Sequence, residues 1–361
     1  MNTRIKFLVL FLMCCYLGTS YSKVTIPSII SNNMVLQQQT KVNIWGKANP
    51  GEKISLESSW TQKIYSTVAN ESGKWKIQIK TPEACRNQWI EIKGENQIRI
   101  QNILIGEVWL CTGQSNMEFP VAHNPKEKWK TGIINEEQEM KDATFNEIRL
   151  FHVEHQLAPE GEKEDCEGEW VVCNPENLKD FSAIGFIFGR KLYKTLNVPV
   201  GLIQSTWGGT HAESWTSMNV MKNNPLYEDV LKQYAPENLK RKKDVAKVPS
   251  TLWNGMIAPI LGYTVKGNIW YQGESNRDNP SSYNLLMEKM IASWRKGFGK
   301  NFPFYMVQIA PYNYHSTNNG PALIREAQEQ VAHRVDNVGL ITTTDIGDPD
   351  NIHPAQKAEK V

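Results

Sequence analysis

The chain has 361 residues, of which 40% are apolar, 22% charged and 10% aromatic, a globular composition that excludes a disordered, collagen-like or coiled-coil protein. Lys and Arg number 40 against 38 Asp and Glu, and a net charge of +2 leaves no basic surplus for a nucleic-acid-binding face. The length fits two domains, or one large domain with an added module, and 12 Trp supply wide apolar faces for a core or for stacking on sugar rings.

In chain order, Met1–Ser22 begins with Arg4 and Lys6, continues through the apolar run Phe7–Leu17 and ends in the small-x-small pattern Ser20-Tyr21-Ser22. This is the layout of a cleaved secretory signal, and the apolar run is too short to stay as a membrane-spanning helix. The expectation is an exported protein, periplasmic or secreted, with no stable membrane insertion after cleavage. Cys14 and Cys15 lie inside the run without the small residues a lipidation site needs before its Cys. Cys85, Cys111, Cys166 and Cys173 remain, an even number that permits disulfides in an exported chain. Cys166 and Cys173 flank a short acidic loop and are the expected pair.

Residues 23–103 read as an all-β module. Val42 and Ile44, Ile54 and Leu56, Trp75, Ile77 and Ile79, Ile90 and Ile92, and Ile98 and Ile100 alternate with polar residues between Gly, Pro and Asn turns, which predicts a β-sandwich. No motif there carries chemistry. From residue 104 to 361 strands and helices alternate. Strands are expected at 108–111, 198–205, 267–272, 304–309 and 338–343, with helices at 184–192, 283–294 and 322–333. That rhythm predicts a parallel sheet flanked by helices, with a site at the carboxyl ends of its strands. A polar insertion at about 212–250 interrupts it and carries the basic run Lys240-Arg241-Lys242-Lys243, which reads as a solvated face.

Three segments that follow predicted strands carry unusual residues. Ser115 in Gly113-Gln114-Ser115-Asn116 sits at a strand-to-helix turn, either as an exposed nucleophile or as a helix cap. Met117 stands where the G-x-S-x-G elbow of ordinary α/β-hydrolases has its second Gly. Trp207-Gly208-Gly209-Thr210 offers a backbone N–H beside a ligand, or simply a tight turn. Gln272-Gly273-Glu274-Ser275-Asn276 brings side-chain amides to the same edge, as oxyanion donors or as loop residues that satisfy their own turn. Of seven His (123, 152, 155, 211, 315, 333 and 353), only His353 follows a C-terminal strand with a carboxylate, Asp350, three residues before it. A Ser hydroxyl needs such a base, held and then stabilised as imidazolium by a carboxylate. His152 and His155 lack a clear third metal ligand, and the acidic loop 160–169 reads as solvated. No metal and no organic cofactor is expected.

With these residues assembled, the chain resembles the sialate O-acetylesterase family of the SGNH (GDSL-like) hydrolase superfamily. The resemblance lies in IGEVWLCTGQSNMEFP (105–120), IGFIFGRKLY with NVPVGLIQSTWGGTHAESW (184–215), WNGMIAPI (253–260), IWYQGESN (269–276), LIREAQ (323–328) and DIGDPDNIHP (345–354). It implies Ser115 as nucleophile, His353 as base and Asp350 as its carboxylate, with Asp348 as the second candidate. It implies an oxyanion hole from the Ser115 N–H, the N–H of Gly209 or else Gly208, and the amide of Gln272 or Asn276. Trp207, Glu274 and Arg325 are the expected sugar contacts, and Trp215, Trp270 and Tyr271 are further candidates for a stacking wall.

The implied activity is a serine carbohydrate O-acetylesterase whose substrate is an O-acetylated sugar, sialic acid first. Acetyl-xylan or another plant polysaccharide is the alternative within the same chemistry. A sugar-binding protein with an impaired site is a rival of a different class, and a glycosidase is a third. The chain stops eight residues after His353, where family members continue through a longer helix. On this reading the C-terminus is truncated, with one sheet face and His353 poorly covered.

Overall fold

The structure, a computed structural model, describes residues 23–239, 242–314 and 319–361. Met1–Ser22, expected to be a signal segment, together with Lys240 and Arg241 of the basic run and His315, lie outside the described residues.

The β-rich part comprises β1 (Val35–Gln37), β2 (Lys41–Lys47), β3 (Lys53–Ser58), β4 (Tyr65–Val68), β5 (Lys74–Lys80), β6 (Cys85–Lys93) and the first half of β7 (Gln97–Gly113). The period-2 reading holds along β5, where Trp75, Ile77 and Ile79 are buried between exposed Lys74, Lys76, Gln78 and Lys80. β2 and β5 form an antiparallel pair with Ile44 opposite Ile77, while β3, β4, β6 and β7 build the second layer. Two short strands, β1 and β4, were not legible as strands, being too brief to display a period.

β7 runs for 17 residues and belongs to both halves of the chain. Its burial alternates as far as Gln101 and, past exposed Asn102, is unbroken from Ile103 to Gly113. The change marks where a half-solvated antiparallel sheet becomes the centre of a parallel one covered on both faces. The boundary expected between residues 103 and 104 therefore falls inside a strand that the two parts share, with no linker there.

The second part adds β8 (Phe145–His152), β9 (Trp170–Cys173), β10 (Val200–Thr206), β11 (Gly267–Tyr271), β12 (Phe304–Val307) and β13 (Val338–Ile341). Their order across the sheet is β13-β12-β11-β7-β10-β8-β9, parallel throughout except for β9 at one edge. β8 and β9 escaped the sequence reading: β8 carries Asn146, Glu147 and Arg149 in its first five residues, and β9 has four residues in all. Alternate β7 residues feed opposite faces. Val108 and Leu110 join a core with Trp270, Met290, Trp294, Phe304 and Ile324, and Trp109 and Cys111 join another with Ile184, Phe186, Leu202 and Ile269.

The short helical turn α1 (Ser115–Glu118) follows β7 directly, and α2 (Ala183–Leu196) covers the second face. α2 starts where the Ser182 hydroxyl accepts the Gly185 amide and ends at Asn197 in the left-handed region, both ordinary terminating signals. α3 (Tyr283–Gly297) and α4 (Gly320–Arg334) cover the first face.

Three expectations change here. Trp215, Trp270 and Tyr271 are at most 1% exposed, so they are core and not a stacking wall. Trp294 stands edge-on to Trp270 at 5.9 Å and donates its indole N–H to the Trp215 carbonyl at 3.0 Å. All four described cysteines are free thiols, and Cys166 and Cys173 belong to the cores on opposite faces of the sheet, which prevents their pairing. The residues after His353 are also packed: the short helix α5 (Lys357–Lys360) lies against α2, with Ala358 1% exposed and Val361 resting on the second core.

Burial pushes the Cys166 and Cys173 thiols up to about 12 and raises Cys111 as well. Thiolate is the reactive form, so these three should resist iodoacetamide at pH 8 in the folded chain and react once it is unfolded. Mass spectrometry of labelled peptides checks this, and rapid native labelling of Cys166 would contradict the packing.

Candidate active site

Three strands end side by side. Thr206 of β10 and Tyr271 of β11 both pair with Gly113 of β7, and the Gln114 and Trp207 amides tie the emerging loops to the Tyr271 and Gly113 carbonyls. Gly113 is required here: its φ is +138°, and a Cβ would stand 2.2 Å from the Tyr271 carbonyl oxygen. The turn delivers Ser115 at the start of α1.

His353 arrives from the opposite side, on the loop that leaves β13 at the sheet edge. Its Nε2 lies 2.8 Å from Ser115 Oγ. Trp129 packs against the imidazole at 4.9 Å between ring centroids and Phe119 stacks at 6.5 Å, while the His353 amide donates to Asn351 Oδ1. The fold thus brings together two residues 238 positions apart. The two candidate acids stand differently. Asp348 Oδ1 accepts the Asp350 amide at 2.9 Å, whereas the Asp350 side chain is exposed and makes no hydrogen bond among the described residues. The structure therefore couples Ser115 to His353 without drawing Asp350 onto the ring.

The glycine turn separates its two amides. The Gly208 amide donates to Glu118 Oε2, and a Cβ on Gly208 would lie 3.3 Å from Ser115 Cβ. Gly209, at φ +72° and exposed, keeps an N–H that has no partner among the described residues. Of the two glycines, Gly209 is the one with a donor to offer.

The expected side-chain donors face elsewhere. Gln272 is fully buried, and its NH2 group donates to the Thr210 carbonyl at 3.1 Å and to Asn276 Oδ1 at 2.7 Å. Asn276 in turn donates to Glu213 Oε2 at 2.8 Å and accepts the Ala212 amide. Both amides are thereby committed beneath the Gly208–Thr210 turn as its scaffold. Glu274, expected at the sugar, is 3% exposed and accepts from Asn116 Nδ2 at 2.6 Å, an inward bond that anchors the residue after Ser115. Gln114 was missed. Its Oε1 accepts the amides of Gly273 at 3.2 Å and Ser275 at 3.4 Å, while its NH2 group makes no hydrogen bond to the protein among the described residues.

Trp207 is half-buried, and the exposed His155 ring stacks on it at 3.9 Å with an interplanar angle of 7°. His155 Nε2 lies 2.9 Å from the Thr206 carbonyl, so the tautomer that donates there holds the stack in place. Arg325 is half-buried on α4 and acts electrostatically on Tyr314, over whose ring Arg277 also lies at 5.6 Å. His155, Trp129 and Arg277 carried no readable signal, because their neighbours at the site come from other strands. Among the described residues no group of three His, Cys, Asp or Glu side chains gathers as a metal site.

A parallel sheet with a Ser–His pair at the carboxyl ends of its strands is the arrangement of an SGNH-type ester hydrolase. Residues 105–361 match the family described as carbohydrate esterase, sialic acid-specific acetylesterase, and the chain belongs to it. Human sialate O-acetylesterase is 32% identical over 91% of this chain and 67% of its own length, and the mouse protein 29% identical over 91% and 70%. A crystal structure of a carbohydrate acetylesterase from Xanthomonas citri superposes with a TM-score of 0.82, at 28% identity, covering 93% of this chain and 72% of that one. The protein is a carbohydrate O-acetylesterase, a carboxylic ester hydrolase.

Glu213 is completely buried, and burial raises its carboxyl above the ordinary range against the opposing Asn276 hydrogen bond. The folded state then holds this proton more tightly than the unfolded one. Its contribution is fully present below the unfolded value and is lost as pH rises towards the folded one. Glu213→Gln, which still accepts from Asn276 but carries no charge, should raise Tm at pH 8 relative to the parent and leave the two equal at pH 4. Thermal melts across pH 4–8 measure this, and an offset that does not change with pH would count against the buried carboxyl.

Proposed function

We propose that the chain is an exported serine O-acetylesterase acting on O-acetylated sialic acid, with Ser115 as nucleophile and His353 as general base. The observation that carries this is the 2.8 Å contact between Ser115 Oγ and His353 Nε2. Ser115 Oγ bonds to the acetyl carbonyl carbon while its proton passes to His353, and the carbonyl electron pair moves onto oxygen. That oxyanion is met by the Ser115 and Gly209 amides and by the Gln114 NH2. As the pair returns, the ester C–O bond breaks and the sugar hydroxyl leaves with the proton held by His353. Water then repeats the sequence on the acetyl-enzyme. Asp350, on the same loop as His353, supplies negative charge that favours the imidazolium from an exposed position.

Two features support an anionic sugar. Relatives are named as sialate O-acetylesterases, and Arg325 of α4 and Arg277 both act on Tyr314, so two cationic groups gather at the same carboxyl-terminal edge of the chain's later strands. The His155–Trp207 stack offers a flat wall for a sugar ring. Export rests on the signal-like Met1–Ser22. No helix among the described residues is long and apolar enough to cross a membrane. Acetylated plant polysaccharide remains the second reading, since the acetyl chemistry is the same and the stacked rings do not depend on charge.

Acetate release from 4-nitrophenyl acetate, 9-O-acetyl sialic acid and acetyl-xylan tests this. Ser115→Ala and His353→Ala should each lose at least about 10³-fold in kcat with circular dichroism unchanged. Asp350→Asn should lose only about tenfold, less than a buried triad acid would, because the exposed carboxylate is partly screened. Undiminished turnover in folded Ser115→Ala would overturn the serine mechanism. Arg325→Ala should lower kcat/KM about tenfold for the sialic acid ester and leave 4-nitrophenyl acetate unaffected. A higher kcat/KM on acetyl-xylan than on the sialic acid ester would instead favour the second reading.

A further inference from the structure

Glu118 lies three residues after Ser115 in α1, and its side chain is 11% exposed. One carboxylate oxygen accepts the Gly208 amide, and the other lies 3.6 Å from Lys130 Nζ. Lys130 is in turn 2.9 Å from Glu127 Oε1, and its ammonium sits 5.1 Å from the Trp129 ring. Trp129 is the ring that packs on His353 at 4.9 Å. One side chain therefore joins the turn that carries Gly209 to the loop that backs the imidazole. A carboxylate in this place is otherwise costly, because negative charge develops on the acetyl oxygen a few ångströms away.

We propose that Glu118 is a positioning residue for the esterase reaction. By taking the Gly208 amide it fixes the turn so that the next amide, that of Gly209, faces the oxyanion. Lys130 offsets the Glu118 charge, so the carboxylate orients the turn without repelling the oxyanion. Neither residue touches the reacting atoms. The inference rests on Ser115 being the nucleophile, which Ser115→Ala tests separately.

The experiment is steady-state hydrolysis of 4-nitrophenyl acetate by the full chain, with circular dichroism and Tm recorded for every variant. Glu118→Ala should lower kcat about 10²-fold and leave KM within about twofold, as expected when a donor is misplaced and binding is untouched. Glu118→Gln, whose amide oxygen still accepts from Gly208, should recover to within about fivefold of the parent. Lys130→Met should lower kcat about tenfold by leaving the carboxylate unbalanced, and Glu118→Gln with Lys130→Met should restore most of that loss. This double variant reads the charge effect even if Glu118→Ala does not fold. Parental kcat in Glu118→Ala, a loss confined to KM, Glu118→Gln no better than Glu118→Ala, or a double variant no better than Lys130→Met would each overturn the proposal. An inactive Ser115→Ala alongside an unaffected Glu118→Ala would remove only the positioning role.

Discussion

Everything at the site depends on the parallel register of β10, β7 and β11. Hydrogen bonding sets Thr206, Gly113 and Tyr271 in one row, so three loops distant in sequence leave the sheet side by side. Gly113 alone permits the close passage of the Tyr271 carbonyl that this row requires. A one-residue slip of β7 would exchange its two faces, drawing Trp109 and Cys111 towards the core that holds Val108 and Leu110. The register is thus enforced by two apolar cores, and the position of Ser115 follows from it.

Beneath the loops lies a second constraint, made of buried polar groups. Gln272, Asn276 and Glu213 form a chain of amide and carboxylate bonds that ends on the Thr210 carbonyl, while Asn116 and Glu274 close another pair on the far side of Ser115. An unsatisfied amide in these positions would be expensive, so the loops have few alternative shapes. Gly209 and His155 are exposed at the rim of the site, and the polar groups underneath are buried and paired. Its rim carries aromatic rings on two sides, His155 on Trp207 and Trp129 against His353.

The two halves of the chain share more than a strand. One core runs from Val42, Ile44 and Ile77 in the β-rich part to Trp270, Trp294 and Phe304 under the parallel sheet. Tyr263 donates its hydroxyl to the Val35 carbonyl at 2.8 Å, and Asn43 donates to the Gly262 carbonyl at 2.8 Å. The N-terminal module therefore buttresses the sheet at the end away from the loops that carry Ser115 and Gly209.

The amino-acid sequence by itself determined the β-rich opening, the later strand–helix alternation and the pairing of Ser115 with His353, because each is written in local periodicity or in a short motif at the end of a strand. It also narrowed the glycine proposed for the oxyanion to two neighbours. Which of them keeps a free amide was decided only when Glu118 folded onto Gly208. Likewise Gln272, Asn276 and Glu274 read as donors and sugar contacts, since amides and carboxylates in a loop look the same whether they face a ligand or one another. Trp215 and Trp270 looked like sugar platforms for the same reason, and the cysteines flanking the acidic loop looked like a pair until the sheet came between them. Polar commitment, ring exposure and the side of a sheet on which a residue lands are long-range properties. They depend on contacts between segments up to 238 residues apart, and such contacts exist only in the tertiary structure.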